Sequence, residues 1–234
     1  MPTASALQPI HRPSLREQVY DVLREALDQA EMKPGDTIDL NAVAARLGVS
    51  RTPLREAVLR LETEGFLTIK PRSGVVVRTL TETDIRNLFQ MIGALESSIL
   101  LTESARITAD RTAPMRRLTD TMDASIKSGD FERFHAAKVA LRDAYLDLTA
   151  NAELRHLLMV MKQRLYDFPK KKDLLLEWEA AATKEHADII GRLEQGDAVG
   201  AAEVLRDVHW NFEAQERFVR IYYRDELAAK QAQA

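Results

Sequence analysis

The chain of 234 residues contains no cysteine. Disulfides and thiolate metal sites are therefore excluded, and a reducing compartment fits. No apolar run approaches the length of a bilayer span, and Met1–Ile10 lacks the apolar core of a signal peptide, so a cytoplasmic chain with no membrane partner is expected. Charge excess of either sign is also missing. The net is −3, with 11 Lys/Arg against 10 Asp/Glu in residues 1–78 and 22 against 26 in the remainder. A nucleic-acid partner would then require positive charge gathered on one face. No nucleophile–base pair or paired acids stand in a motif that would mark an enzyme. What remains is enough length for two domains and 45% hydrophobic content, ample for packed cores.

The most informative stretch is Gly48-Val49-Ser50-Arg51-Thr52-Pro53-Leu54-Arg55-Glu56-Ala57-Val58, followed by Leu61-Glu62 and Thr63-Glu64-Gly65-Phe66-Leu67. It predicts a tight turn and then a helix with Arg51 and Arg55 on one exposed face. Leu54, Val58 and Leu61 repeat at helical spacing on the other. Ser50 is the expected N-cap, and Pro53 is tolerated in the first turn. A short helix that offers N-terminal arginines away from a packed stripe suits a major groove. Arg60, Lys70, Arg72 and Arg78 would extend the basic face, while Glu56 is spaced to pair with Arg60.

Around this helix the punctuation is regular. Residues 1–13 are small, polar and Pro-containing, and read as a flexible arm. Ser14 with Glu17 forms a capping box for a helix whose apolar stripe is Val19, Leu23 and Leu27. Lys33-Pro34-Gly35-Asp36 is a turn, and Asp39 or its neighbour caps a short helix from about Asn41 to Leu47. Phe66–Ile69, the turn Lys70-Pro71-Arg72-Ser73-Gly74, and Val75–Val77 predict a β-hairpin. Residues 14–78 thus read as a winged helix-turn-helix, followed by a linker over 79–83.

Beyond Thr81 no convincing strand occurs. Helices are expected near 84–106, 111–128, 131–149, 152–167, 173–194 and 197–226, with Pro114 at a helix start. The fold class is mainly α: the winged domain plus an all-α antiparallel helical bundle over 84–226, with a frayed tail at 227–234.

The first domain resembles the GntR family of bacterial transcription regulators. The resemblance is carried by Pro34-Gly35, the run from Leu47 to Ala57, Leu61-Glu62 and Glu64-Gly65. The second resembles the all-helical FCD effector domain of the FadR-type branch, through Leu95-Glu96, Gly129-Asp130, Asn151, Glu185-His186 with Ile189, and Gly196-Asp197. The resemblance implies that Ser50, Arg51, Thr52 and Arg55 meet DNA, with Arg51 or Arg55 suited to guanine and Ser50 and Thr52 to phosphates. Asn41 stands where some relatives carry an arginine near the DNA. The wing tip Arg72-Ser73-Gly74 would reach the backbone or minor groove.

The effector domain departs from the family pattern. Many FCD domains hold a divalent metal through an Asp and a His four residues apart plus two later histidines. In the ungapped register between Gly129-Asp130 and Asn151, those first two positions are Lys138 and Arg142, which offer a metal no lone pair. His186 matches the third position. His209 lies one residue beyond the fourth, which Val208 occupies. Where relatives often place an arginine four residues before Glu96, this chain has Ile92. The expectation is a metal-free site in which Lys138 and Arg142, joined by His186 and His209, grip a small organic acid or other anion. Three alternatives stand beside it. Lys138 or Arg142 could pair with acids such as Asp143 or Glu185 in a vestigial site; His135, His186 and His209 could hold a divalent metal; the protein could be a purely architectural DNA binder. Trp178, Trp210, Phe212, Tyr222 and Tyr223 read as bundle packing, with Trp210 or Tyr145 as the alternative floor of a ligand cavity. The resemblance further implies a homodimer on a palindromic operator, with repression relieved by a metabolite and Val75–Thr83 as the coupling element.

Overall fold

A computed structural model describes residues 13–71, 74–166 and 175–224. The chain divides at Thr79 and Leu80 into two compact units. In the first, α1 (Leu15–Asp28) opens on a complete capping box. The Glu17 carboxylate accepts from the Ser14 N–H at 2.7 Å, and the Ser14 hydroxyl accepts from the Glu17 N–H at 3.4 Å. Its stripe of Val19, Leu23 and Leu27 is buried against α3 (Arg51–Thr63), which buries Leu54, Ala57, Val58 and Leu61 in return. Each of these Val and Leu side chains contributes about 1.5–3 kcal/mol by leaving water. Between them, α2 (Leu40–Leu47) is capped by Asp39, which accepts from the N–H groups of Asn41 and Ala42. Gly48, at φ +65°, ends α2 in the left-handed region that only glycine enters cheaply.

The wing is a three-stranded antiparallel sheet in the order β1-β3-β2, built from β1 (Thr37–Ile38), β2 (Leu67–Lys70) and β3 (Gly74–Val77). Leu67 pairs with Val77 and Lys70 with Gly74, giving the expected hairpin. The third strand is an addition to the sequence reading: Thr37 and Ile38 pair with Val76 and Val75. Two residues are too few to display a period, so β1 reads as part of a turn.

The second unit is an all-α bundle around one contiguous apolar core. Its helices are α4 (Glu82–Thr102), α5 (Ala109–Ser128), α6 (Phe131–Leu146), α7 (Ala152–Tyr166), α8 (Leu176–Glu194), α9 (Ala198–Val204) and α10 (Phe212–Tyr222). Thr81 with Asp84, Asp130 and Asp197 cap α4, α6 and α9. Pro114 lies in the second turn of α5, not at its start, because the helix begins at Ala109.

The larger correction concerns 197–226, expected as one helix. After α9 the chain widens into a π-helical turn over Leu205–His209, where the Trp210 N–H reaches the Leu205 carbonyl at 3.0 Å. Asn211 then caps α10 afresh by accepting from the Ala214 N–H at 3.0 Å. Gly93 of α4 makes room for this break: a Cβ there would stand 2.8 Å from the Cβ of Trp210. No helix among the described residues is long and apolar enough to cross a membrane.

Candidate nucleic-acid interface and effector site

The face offered by α3 is open. Ser50 caps the helix with an extended backbone but makes no side-chain cap bond, which leaves its hydroxyl for another acceptor or donor. Arg51, Thr52 and Arg55 are all exposed. Arg51 donates from Nη2 to Asn41 Oδ1 at 3.0 Å, whereas Arg55 has no hydrogen bond or ion pair among the described residues. Gly74 starts β3 at φ +86°, and Arg72 and Ser73 lie outside the described residues.

Arg60 does not belong to this face. Its guanidinium lies 3.8 Å from the centre of the Tyr20 ring and bonds Glu64 at 2.9 Å, not Glu56, while the Tyr20 hydroxyl donates to the same carboxylate at 2.5 Å. Arg60 is a clasp between α1 and α3. The spacing to Glu64 is the same i,i+4 as to Glu56, so sequence alone could not choose between them.

The bundle brings a different set of groups together. His186 of α8 and His209 of the π-helical turn lie with ring centres 4.4 Å apart. His209 Nδ1 meets Glu185 Oε2 at 2.7 Å; Gln215 donates to Glu185 Oε1 at 3.0 Å and accepts from Trp178 Nε1 at 2.9 Å. Burial works to raise the Glu185 pKa, but the bond and charge of His209 and the bond of Gln215 hold it below its ordinary value. On α4, Glu96 is 4% exposed; it accepts from Trp210 Nε1 at 2.7 Å and forms an ion pair with Lys162 of α7, itself 8% exposed.

Two polar atoms in this neighbourhood have no hydrogen-bond partner among the described residues: the Tyr145 hydroxyl and His186 Nδ1, both buried, on rings 5.6 Å apart. Burial first, then the charges of His209, Lys162 and Lys138, hold the His186 imidazole well below its ordinary pKa, so it is neutral at pH 7. Burial, then the Glu96 charge, pushes the Tyr145 phenol up, which keeps it a hydrogen-bond donor.

The expected ligand set is thus only partly assembled. His186 and His209 come together. Lys138 donates to both Glu179 oxygens, at 2.6 and 2.8 Å, and Arg142 bonds its neighbour Asp143 at 3.1 Å. Both cations already have carboxylate partners, and the partner of Lys138 is neither of the acids expected. His135 is exposed on α6. Among the described residues no three His, Asp or Glu converge as a metal-ligand set.

Lys162 is an addition to the sequence reading, and its signal is positional: it sits four residues after Leu158 and three before Leu165, on the buried stripe of α7. Gln215 carries the same signal, three residues after Phe212 and four before Val219 on the buried stripe of α10, whereas Glu179 carries none.

Residues 15–77 match the family described as bacterial regulatory proteins, gntR family, and residues 87–209, more than half the chain, match the FCD domain. The chain belongs to the GntR family. An HTH-type transcriptional regulator of Agrobacterium vitis is 32% identical to this GntR chain over 131 residues, covering 52% of it and 77% of the relative. The HTH-type transcriptional repressor RspR of Escherichia coli K12 is 24% identical over 197 residues, covering 80% and 83%. Among solved structures, E. coli McbR/YncC superposes with a TM-score of 0.62 over 92% of this chain and 99% of the other, at 20% identity, a likeness of fold. This GntR protein is therefore a DNA-binding transcription regulator of the FadR-type branch, not an enzyme.

The π-helical turn also bears on the family register. A π turn holds one residue more than an α turn. That is the amount by which His209 overshoots the position occupied by Val208, and His209 nevertheless stands beside His186.

Proposed function

We propose that this GntR protein is a cytoplasmic, homodimeric repressor whose hold on a palindromic operator is released by a small metabolite bound in the helical domain, with no metal required. Arg51 and Arg55 read base edges, Ser50 and Thr52 engage phosphates, and the wing tip reaches the backbone. The observation that carries the effector site is the pair of buried, unpartnered polar atoms, Tyr145 Oη and His186 Nδ1. Buried polar groups are almost always satisfied, so two orphans side by side call for a molecule that supplies a partner to each. The effector shifts DNA occupancy by binding one arrangement of the bundle better than another.

The surrounding charges select its class. Lys138 faces Glu179, Lys162 faces Glu96 and His209 faces Glu185. Among the described residues both lysines of this cluster already face a carboxylate, which favours an uncharged molecule bearing both a donor and an acceptor. A small organic acid is the second reading. Its route is the Lys138–Glu179 pair, whose lysine side chain is 36% exposed and so the most readily exchanged of the three.

The test starts from duplexes selected by the full chain out of a random pool. Binding of the selected duplex is followed by fluorescence anisotropy while polyols, amides and organic acids are added in turn. Release by an uncharged compound, blunted in Tyr145→Phe but not in Arg142→Ala, supports the first reading. Release by acids alone, abolished in Lys138→Met, moves the choice to the second. Failure to select any duplex would sink both.

A further inference from the structure

We propose that Asn41 sets operator specificity without touching a base, by fixing the guanidinium of Arg51. The inference rests on the reading of Arg51 as a base-contacting residue. Arg51 and Arg55 stand one turn apart on the same exposed face of α3, yet they are held differently. Arg51 Nη2 donates to Asn41 Oδ1 at 3.0 Å; Arg55 has no such tether among the described residues.

The tether is anchored on a rigid base. Asn41 lies in the first turn of α2, where its own N–H is bound at 2.8 Å by the Asp39 carboxylate. Gly48 at φ +65° then turns the chain tightly enough to bring that first turn beside the first residue of α3. One Asn–Arg bond thus links the two helices of the motif on their exposed side.

Chemistry fixes the direction of this bond. Arginine only donates, so the Asn41 amide must present its oxygen to Arg51. An asparagine reads adenine by offering its oxygen and its NH₂ together. With one lone pair of the oxygen taken by Arg51, the amide plane is set by that bond and is not free to turn toward an adenine edge. The guanidinium has five N–H donors and gives up one, which leaves enough for the two-point contact with guanine O6 and N7. A side chain held in place loses less freedom on docking than one that must first be ordered. Arg51 is therefore the selective arginine of the pair, and Asn41 is the residue that makes it so.

The experiment is selection from a random duplex pool with the full chain as wild type, Arg51→Ala, Asn41→Ala and Asn41→Asp. Asn41 is exposed, so these variants fold. Arg51→Ala should erase a guanine preference at one base pair of each half-site. Asn41→Ala should weaken the same preference by roughly tenfold, the scale of one good base contact, and leave the other positions and the salt dependence unchanged. Asn41→Asp keeps an acceptor for Arg51, so it should retain the preference while lowering affinity for every sequence through its charge.

Loss of preference in Asn41→Ala at a pair that Arg51→Ala leaves intact would mean that Asn41 reads a base itself, and would overturn the proposal. An Asn41→Ala motif identical to wild type would overturn it as well. If Arg51→Ala keeps the full motif, the base-reading role of Arg51 fails, and the tether loses its function with it.

Discussion

The exposed face of α3 and the polar cluster of the bundle solve opposite problems. On α3 the side chains proposed to meet DNA lie in water, at most lightly tied, with Arg51 held by a single bond and Arg55 by none among the described residues. In the bundle the described lysines of the polar cluster are already matched, Lys162 by Glu96 and Lys138 by Glu179, and the His209 imidazole bonds Glu185. A surface that meets a highly charged polymer can leave its cations in solvent at little cost, because the partner supplies the counter-charge. A buried site cannot, since an isolated charge out of water is strongly disfavoured. On the proposed reading, a ligand of the bundle would be met by the neutral polar atoms left over, Tyr145 Oη and His186 Nδ1, and not by spare charge.

The strongest way to break this contrast is to unbalance the interior. Lys162→Ala leaves Glu96 buried beside Trp210 without its cation and should cost about 3–5 kcal/mol in urea denaturation. A loss below about 1 kcal/mol would mean that the pair is not truly buried. Arg55→Ala makes the opposite case. Stability should stay within about 0.5 kcal/mol, while affinity for a selected duplex should fall by about 1–3 kcal/mol, read by anisotropy at fixed salt.

Acid sharpens the difference further. The folded state holds the proton affinity of His186 well below its ordinary value near 6.5, so the unfolded chain binds more protons in acid. This contribution to stability is complete above about pH 6.5 and is lost progressively as the pH falls below it. The melting temperature should drop between about pH 7 and 5, and His186→Leu should flatten that slope. An equal slope in the variant would place the effect elsewhere. The smallest change is expected at Tyr145. Its hydroxyl has no bond to lose, so Tyr145→Phe should leave the melting temperature unchanged or raise it slightly. A loss of several degrees would show that the hydroxyl has a protein partner after all.

The same contrast governs what could be read from the chain alone. The winged domain is written in local signals: the Ser14 and Glu17 box, the Gly48 turn, and the Leu54, Val58 and Leu61 stripe are each decided within a few residues. Arg60 has two acids at equivalent helical spacing, Glu56 and Glu64, and only packing against Tyr20 decides between them and draws it off the basic face. In the bundle, local spacing places Lys138 and Arg142 on one helix but cannot say which carboxylate arrives from another. Glu179 is 41 residues away in sequence and Glu96 is 66 from Lys162. The histidine pair was legible as residue types; the orphaned atoms that give the site its character exist only after packing.

The π-helical turn between Leu205 and His209 also bears on how this domain aims its last helix. An extra residue in a regular helix swings everything after it by about 100°. Here the surplus is stored as a bulge, backed by Trp210 against the bare Cα of Gly93, and the chain restarts in a fresh helix at Asn211. The fresh start at Asn211 frees the direction of α10 from that of α9, so the π turn sets the bearing of His209 on its own.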